Sequence, residues 1–100
     1  MKKIMLLLGM AGLCAVLVGP SIPASAYTGE ELASGAQVSI DQARAIALKT
    51  VPGEIIDEEL ETEEGGSGLR YTFNLKRGSQ TYEVGIDAKT GAVLENIVED

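Results

Sequence analysis

The sequence is poor in the residues that most enzymes use. Its 100 residues include no histidine and one cysteine, Cys14. Beyond residue 26 neither residue type occurs, which excludes triads and dyads built on them, disulfides and the usual zinc sites. Bases are also scarce, with 8 Lys and Arg against 15 Asp and Glu. Such a chain repels nucleic acid and anionic lipid. We therefore expect no enzyme, no cofactor and no nucleic-acid partner.

The sequence also lacks an apolar run long enough to span a bilayer. The run from Ile4 to Val18 has 15 residues, whereas a transmembrane helix needs about 20. Lys2 and Lys3 precede it, and Ala24-Ser25-Ala26 follows. This order is typical of a secretory signal peptide cleaved after Ala26. We expect an exported protein without membrane attachment after cleavage, and the periplasm and the extracellular space both stay open as destinations.

Three regions are predicted: a signal peptide over residues 1–26, a flexible leader over 27–38 and a single domain over 39–100. The leader is rich in small and polar residues and shows no sustained period. Without Lys2 and Lys3, six bases remain against all 15 acids, giving a net charge of −9 beyond residue 26. A core of this size supplies only about 3 to 5 kcal/mol. The domain must therefore depend on packing, a bound partner, or both.

One helix is predicted from Ile40 to Val51. Ser39 is a suitable N-cap, and Gln42 is placed to complete a capping box. Pro52-Gly53 ends the helix, because the residue before a proline is disfavoured in the α region. A narrow apolar stripe with helical spacing follows the cap and consists of Ala43, Ile46, Ala47 and Val51.

After the helix the apolar period changes to two, which indicates strands. The inward positions are predicted as Ile56, Glu58, Leu60 and Thr62, then Leu69, Tyr71, Phe73 and Leu75, then Tyr82, Val84 and Ile86. Val93, Leu94, Ile97 and Val98 form a fourth strand whose facing the pattern does not decide. Short loops between successive strands predict an antiparallel meander. The expected fold is α+β, with one N-terminal helix packed on four antiparallel strands.

The turn before the last strand has its own signature. Asp87 suits the first corner, because its side chain can accept hydrogen bonds from nearby backbone N–H groups. Gly91 stands where such a loop usually needs a positive φ.

A single helix leaves one face of the sheet uncovered, and we expect a protein partner there or at an edge strand. The predicted partner-binding residues are Glu59, Glu61, Arg70, Thr72, Asn74, Lys76 and Glu83. An acidic cluster in the first strand could instead attract calcium. Strand alternation divides its members between two faces, so a solvated edge with basic neighbours across the strand pair is favoured; the members are Asp57, Glu58, Glu59, Glu61, Glu63 and Glu64.

The chain resembles the PepSY family over residues 39–98. The resemblance rests on the alanine-rich helix before Pro52-Gly53, the acidic strand from Ile55 to Glu63, the strand from Tyr71 to Leu75, and the run from Tyr82 to Gly91. It implies a small α+β domain found in propeptides of thermolysin-like metallopeptidases and as free-standing exported proteins. In propeptides such domains are associated with inhibiting and assisting the folding of the attached enzyme. No catalytic domain follows Asp100 in this sequence, so we expect any peptidase partner to be a separate chain.

Two functional hypotheses remain. The first is a regulator or inhibitor of extracytoplasmic peptidases, whose complex charge reversal at Arg70 and Lys76 should weaken. The second is an acidic structural or sensory module that responds to calcium or associates with itself as a homodimer.

Overall fold

The computed structural model describes residues 27–99. They form a 3-10 helix, a helix α1 and strands β1 to β4, spanning Glu30–Gly35, Ile40–Thr50, Glu54–Thr62, Leu69–Arg77, Gln80–Asp87 and Val93–Glu99. The strands pair antiparallel in sequence order. The predicted α+β fold is therefore confirmed. The predicted signal peptide and its cleavage site lie outside the described residues.

The capping signals of α1 form as the sequence predicts. Gln42 donates its backbone N–H to Ser39 Oγ at 3.1 Å, and Ser39 donates its own to Gln42 Oε1 at 2.9 Å. The helix ends at Thr50, with Val51 as an extended C-cap. Two of the four orphan donors at a helix N-terminus are thus satisfied locally, which fixes where the helix begins.

The core lies between α1 and the middle of the sheet. Two of the three buried side chains that α1 contributes are alanines, whereas the strands contribute larger side chains. The buried residues of the core are Ile40, Ala43, Ala47, Val51, Leu60, Tyr71, Phe73, Leu75, Val84, Ile86 and Ala88. Tyr71 and Phe73 stack with ring centroids 6.4 Å apart. The small helical residues let the backbone of α1 approach the sheet, so the aromatic and branched residues of the strands fill the space.

A β-bulge corrects the predicted facing of β1. Ile55 pairs with Leu75, but the next pair is Asp57 with Asn74, which leaves Ile56 without a partner. Ile56 is 51 % exposed, while Ile55 is partly buried against the core. An extra residue in one strand shifts the alternation of every residue before it. The prediction of Ile56 as an inward residue is therefore wrong, and Ile55 takes its place.

The segment predicted as a flexible leader has defined structure. Leu32 of its 3-10 helix and the flanking residues Tyr27 and Val38 pack against the core. Thr28 pairs in parallel with the outer edge of β1, where its carbonyl accepts the N–H of Leu60 at 2.8 Å. Composition indicated a leader because the apolar residues are few and irregularly spaced. A 3-10 turn and a single bridge need no sustained period, so the sequence pattern missed them.

An ion pair also fastens α1 to β1. Arg44 donates from Nη2 to Glu58 Oε1 at 2.8 Å and from Nε to Oε2 at 2.5 Å. The two side chains are 23 % and 16 % exposed. A bidentate, partly buried pair of this kind sets the orientation of the helix on the sheet as well as contributing energy.

Candidate functional site: the open face and the β4 edge

The face of the sheet opposite α1 is strongly acidic. We call it the open face, and the strand register places on it Glu54, Asp57, Glu59, Glu61, Arg70, Thr72, Asn74, Lys76, Thr81, Glu83, Gly85, Asp87, Glu95, Ile97 and Glu99. Eight of these residues are acidic and two are basic. Such a face attracts cationic groups and repels anionic ones.

All seven predicted partner-binding residues share the open face, although two of them are buried. Arg70 is 8 % and Thr72 9 % exposed. Thr72 donates its hydroxyl to Glu61 Oε2 at 2.9 Å. Lys76 is exposed, and the other four are partly exposed. A partner can therefore contact the carboxylates and Lys76 directly, whereas Arg70 and Thr72 act inside the face.

Arg70 extends from β2 across the open face toward β4. Its Nη1 lies 3.5 Å from Glu63 Oε2 and 3.7 Å from Glu95 Oε1, and its Nη2 donates to the carbonyl of Glu64 at 3.0 Å. The path is open because Gly85 lies below it, where an added Cβ would stand 3.0 Å from Arg70 Cδ. One buried cation thus neutralises part of the face and joins the first hairpin to β4.

Three carboxyl groups crowd the part of the open face beside the β4 edge. Glu83 lies across from Ile97, and the two neighbours of Ile97 on this face are Glu95 and Glu99. Sharing a hydrogen bond with Glu99, together with partial burial and the nearby Glu95, raises the pKa of Glu83 to about 7. Glu83 is therefore partly protonated near neutral pH, and a cation placed there would relieve the repulsion.

Strand β4 is the least covered element of the described chain. Helix α1 contacts β2 and β3, and the 3-10 helix contacts β1. The four apolar side chains of β4 whose facing the sequence did not decide are all largely exposed: Val93 44 %, Leu94 36 %, Ile97 47 % and Val98 47 %. Ile97 lies on the open face, while Val98 pairs with Tyr82 on the helix side. Strand β4 thus offers apolar contacts on both faces.

The turn between β3 and β4 is held by a buried carboxylate. Asp87 Oδ1 accepts the N–H groups of Lys89 at 2.8 Å and Thr90 at 3.2 Å and the Ser67 hydroxyl at 2.8 Å. Its Oδ2 accepts the Ser67 N–H at 2.7 Å. These bonds, led by the one from Lys89, lower the pKa of Asp87 to about 2 despite its burial. Gly91 has φ +81° and donates its N–H to the Asp87 carbonyl at 2.9 Å.

Two open clefts flank Tyr27 on the helix side of the molecule. One of about 500 Å³ is lined partly by Arg44 and Glu58, and the other, of about 420 Å³, partly by Val38 and Tyr71. The polar groups at their walls are bonded to each other: Arg44 pairs with Glu58, and Tyr71 donates its hydroxyl to the Val38 carbonyl at 2.6 Å. Neither cleft contains an activated nucleophile among its lining residues.

Residues 27–99 contain no group of three or more acidic side chains arranged to hold a metal ion. Over the same residues, no helix has the length and hydropathy needed to cross a membrane.

Comparison with protein families gives one result. Residues 37–96 match the family model PepSY, described as peptidase propeptide and YPEB domain. The chain belongs to the PepSY family. Searches of the curated proteins and of the solved structures found no significant match. The family match covers α1, β1, β2 and β3 in full, together with the first residues of β4.

Membership of the PepSY family indicates which general role the open face and the β4 edge can be compared with. PepSY domains are associated with peptidase propeptides or with regulation, are generally non-catalytic, and are typically extracytoplasmic. This PepSY domain presents an acidic face and an edge strand with four exposed apolar side chains. Sequence reasoning identified the first through strand alternation. An edge strand was also expected as a binding site, but the pattern left the facing of β4 undecided, because exposure of β4 depends on where the helices lie.

Proposed function

We propose that this PepSY domain is an exported, non-catalytic protein-binding domain that regulates a peptidase outside the cytoplasm, the peptidase being a separate chain. Family membership carries the proposal, since the family is associated with peptidase propeptides and regulation. The open face supports it, because a broad acidic surface that no element of residues 27–99 covers suits a basic protein surface. The absence of histidine from the sequence agrees with a binding role.

The structure changes how this proposal is best tested. Reversing Arg70 would break its contacts with Glu63, Glu64 and Glu95 and place an acid at a buried position beside other acids, so a loss of binding would not distinguish a lost contact from misfolding. Glu59 is a better site, since it is partly exposed on the open face. Glu31 provides a matched control, because it is exposed on the 3-10 helix.

The experiment immobilises residues 27–100 and exposes them to the exported proteins of the host, with retained species identified by mass spectrometry. A peptidase is expected among the retained proteins, at a lower level on Glu59→Lys and at an unchanged level on Glu31→Lys. The retained peptidase is then assayed with and without the domain, and a change in its rate is expected. Retention of no peptidase would contradict the proposal. A melting temperature raised by calcium, or a dimer at low concentration, would then favour the structural or sensory module.

A further inference from the structure

The two edges of the sheet differ in how they are protected. The outer edge of β1 is partly occupied by Thr28, whose carbonyl accepts the Leu60 N–H at 2.8 Å. The outer edge of β4 has no such pairing within residues 27–99. An unpaired edge presents a row of N–H and C=O groups that can pair with another extended chain. Any strand added to this sheet will therefore meet the least hindrance at β4.

Strand β4 also lacks most devices that proteins use to block edge pairing. Its sequence from Val93 to Glu99 contains no lysine, no arginine and no proline. The bulge that displaces Leu94 disturbs its beginning, but pairing with β3 is regular from Glu95 to Glu99. Ile97 and Val98 are each 47 % exposed on opposite faces. An added strand would thus gain apolar contacts on both sides as well as backbone hydrogen bonds.

Charge determines which strand fits. Directly opposite residues of paired strands share a face, so a strand beside β4 places side chains next to Glu95 and Glu99 on the open face. Behind them lies Glu83, whose raised pKa shows how crowded these carboxyl groups are. Within residues 27–99, the one basic side chain that forms an ion pair with this group is Arg70, which lies 3.7 Å from Glu95 and is shared with Glu63. Lysine or arginine on the added strand would lower this repulsion, whereas acids would increase it.

A second copy of the same strand fits poorly in the antiparallel register that brings the two Ile97 side chains together. Antiparallel pairing centred on Ile97 would set Glu95 of each copy opposite Glu99 of the other, because their positions are symmetric about Ile97. Like charges placed directly opposite are destabilising. The net charge of −7 adds a general repulsion between copies.

We propose that β4 binds an extended segment of a partner protein by antiparallel strand addition, and that this segment carries lysine or arginine opposite Glu95 and Glu99 with apolar residues between. In the facing strand these two bases stand four positions apart. An apolar residue between them lies opposite Ile97, and another lies opposite Val98 on the helix side. The inference rests on the proposed protein-binding function and specifies how the partner is held.

The test titrates the purified full-length protein with capped peptides and follows the backbone amide signals of β4 by NMR. The first peptide contains Lys-Val-Val-Thr-Lys, and the second replaces both lysines by glutamate. The lysine peptide is expected to shift the β4 signals and to bind at least about tenfold more tightly than the glutamate peptide, from two cross-strand pairs changing sign. Equal binding of the two peptides, or shifts confined to other strands, would overturn the proposal.

A charge swap tests the register. Glu99→Lys should weaken the lysine peptide about threefold or more, and a peptide with glutamate at its first position should then recover the loss. Glu31→Lys, which makes the same change away from β4, should leave all affinities unchanged. Loss of binding without recovery would contradict the assigned pairing.

Backbone pairing is tested separately from charge. In an antiparallel pair only alternate residues exchange hydrogen bonds with the facing strand. Two versions of the lysine peptide are therefore made, one with its backbone nitrogens methylated at odd positions and the other at even positions. Only one of the two is expected to lose binding to β4. If both bind, the contact is not strand addition.

Self-association through β4 would also overturn the proposal. It would be seen as a dimer in sedimentation, together with broadened β4 signals in the free protein.

The two proposals can fail independently. A retained peptidase that the lysine peptide does not displace would leave regulation intact and remove strand addition as its mode. Peptide binding at β4 with no peptidase retained would support strand addition and contradict peptidase regulation.

Discussion

Two carboxyl groups of this PepSY domain have opposite electrostatic environments. Asp87 is 2 % exposed and accepts four hydrogen bonds from Ser67, Lys89 and Thr90, so its charged form is favoured. Glu83 lies beside Glu95 and Glu99, so its neutral form is favoured. Because folding changes both pKa values, each group makes stability depend on pH, with opposite sign.

Asp87→Asn should destabilise the fold by about 2 kcal/mol at pH 7, since hydrogen bonds to a charged acceptor are lost. The folded pKa of about 2 lies below the ordinary value of 3.8. The stabilisation by Asp87 is therefore present above about pH 4 and is lost as the pH falls toward 2. Urea unfolding at pH 7 and near pH 3 should show that the variant loses less stability on acidification. Asp57→Asn, at an exposed site, is the control, and equal acid sensitivity of both variants would contradict the assignment.

Glu83→Gln should have the reverse effect. The folded pKa of about 7 lies above the ordinary value of 4.5. The contribution of Glu83 is fully present below about pH 4.5 and is lost as the pH rises through 7. In thermal melts, the melting temperature of the variant should change less between pH 5.5 and pH 8 than that of the wild type. At pH 8 the variant should melt at a higher temperature than the wild type. Glu31→Gln should behave as the wild type. A pH response unchanged by Glu83→Gln would show that the crowding has no energetic consequence.

At the scale of elements, α1 is attached to the sheet by a narrow apolar stripe and by one ion pair. The stripe was predictable from spacing, and Ala43, Ala47 and Val51 are buried as expected. The Arg44–Glu58 pair was not, since it joins residues 14 positions apart on different elements. The strand alternation predicted that Glu58 points inward, where a buried carboxylate needs a polar partner. Arg44 supplies that partner only once α1 is docked on the sheet.

A double-mutant cycle should measure that pair. Arg44→Met is expected to cost about 1 to 3 kcal/mol, because it leaves Glu58 only 16 % exposed and without its cation. The coupling energy with Glu58→Gln should be about 1 kcal/mol or more, measured by urea unfolding. Lys49→Met makes a similar change at an exposed site of the same helix, and it should cost much less. A coupling near zero would mean that the apolar stripe alone holds the helix.

The whole molecule combines a small core with a large acidic surface, and residues 27–38 cover part of that core. Tyr27, Leu32 and Val38 cover apolar side chains that would otherwise meet water, and Gln37 and Val38 both donate to the Ala88 carbonyl at 2.9 Å. In a domain whose core supplies only about 3 to 5 kcal/mol, such a cover is a substantial part of the total.

Removing residues 27–38 should therefore lower stability by about 3 kcal/mol, the scale of one or two buried apolar side chains. Melting of residues 39–100 is compared with that of 27–100. Gly29→Ala provides a test within the longer chain, since an added Cβ at φ +86° would stand 1.9 Å from the Leu60 carbonyl oxygen. It should reproduce part of the loss. Equal melting temperatures for all three proteins would show that the segment is a leader in energetic terms, as the sequence first suggested.

The sequence alone determined the features that depend on neighbours along the chain. The capping residues determine where α1 begins, and Pro52-Gly53 determines where it ends. Apolar alternation indicates the strands, and Asp87 with Gly91 specifies the turn. These features were predictable because φ preferences and side-chain periods act locally. Only the tertiary structure decided which surfaces are covered. The bulge at Ile56, the path of Arg70 over Gly85, the docking of residues 27–38 and the exposure of β4 depend on where distant elements meet. Burial is a property of the assembled layers, and no period within one strand specifies whether another element lies above it.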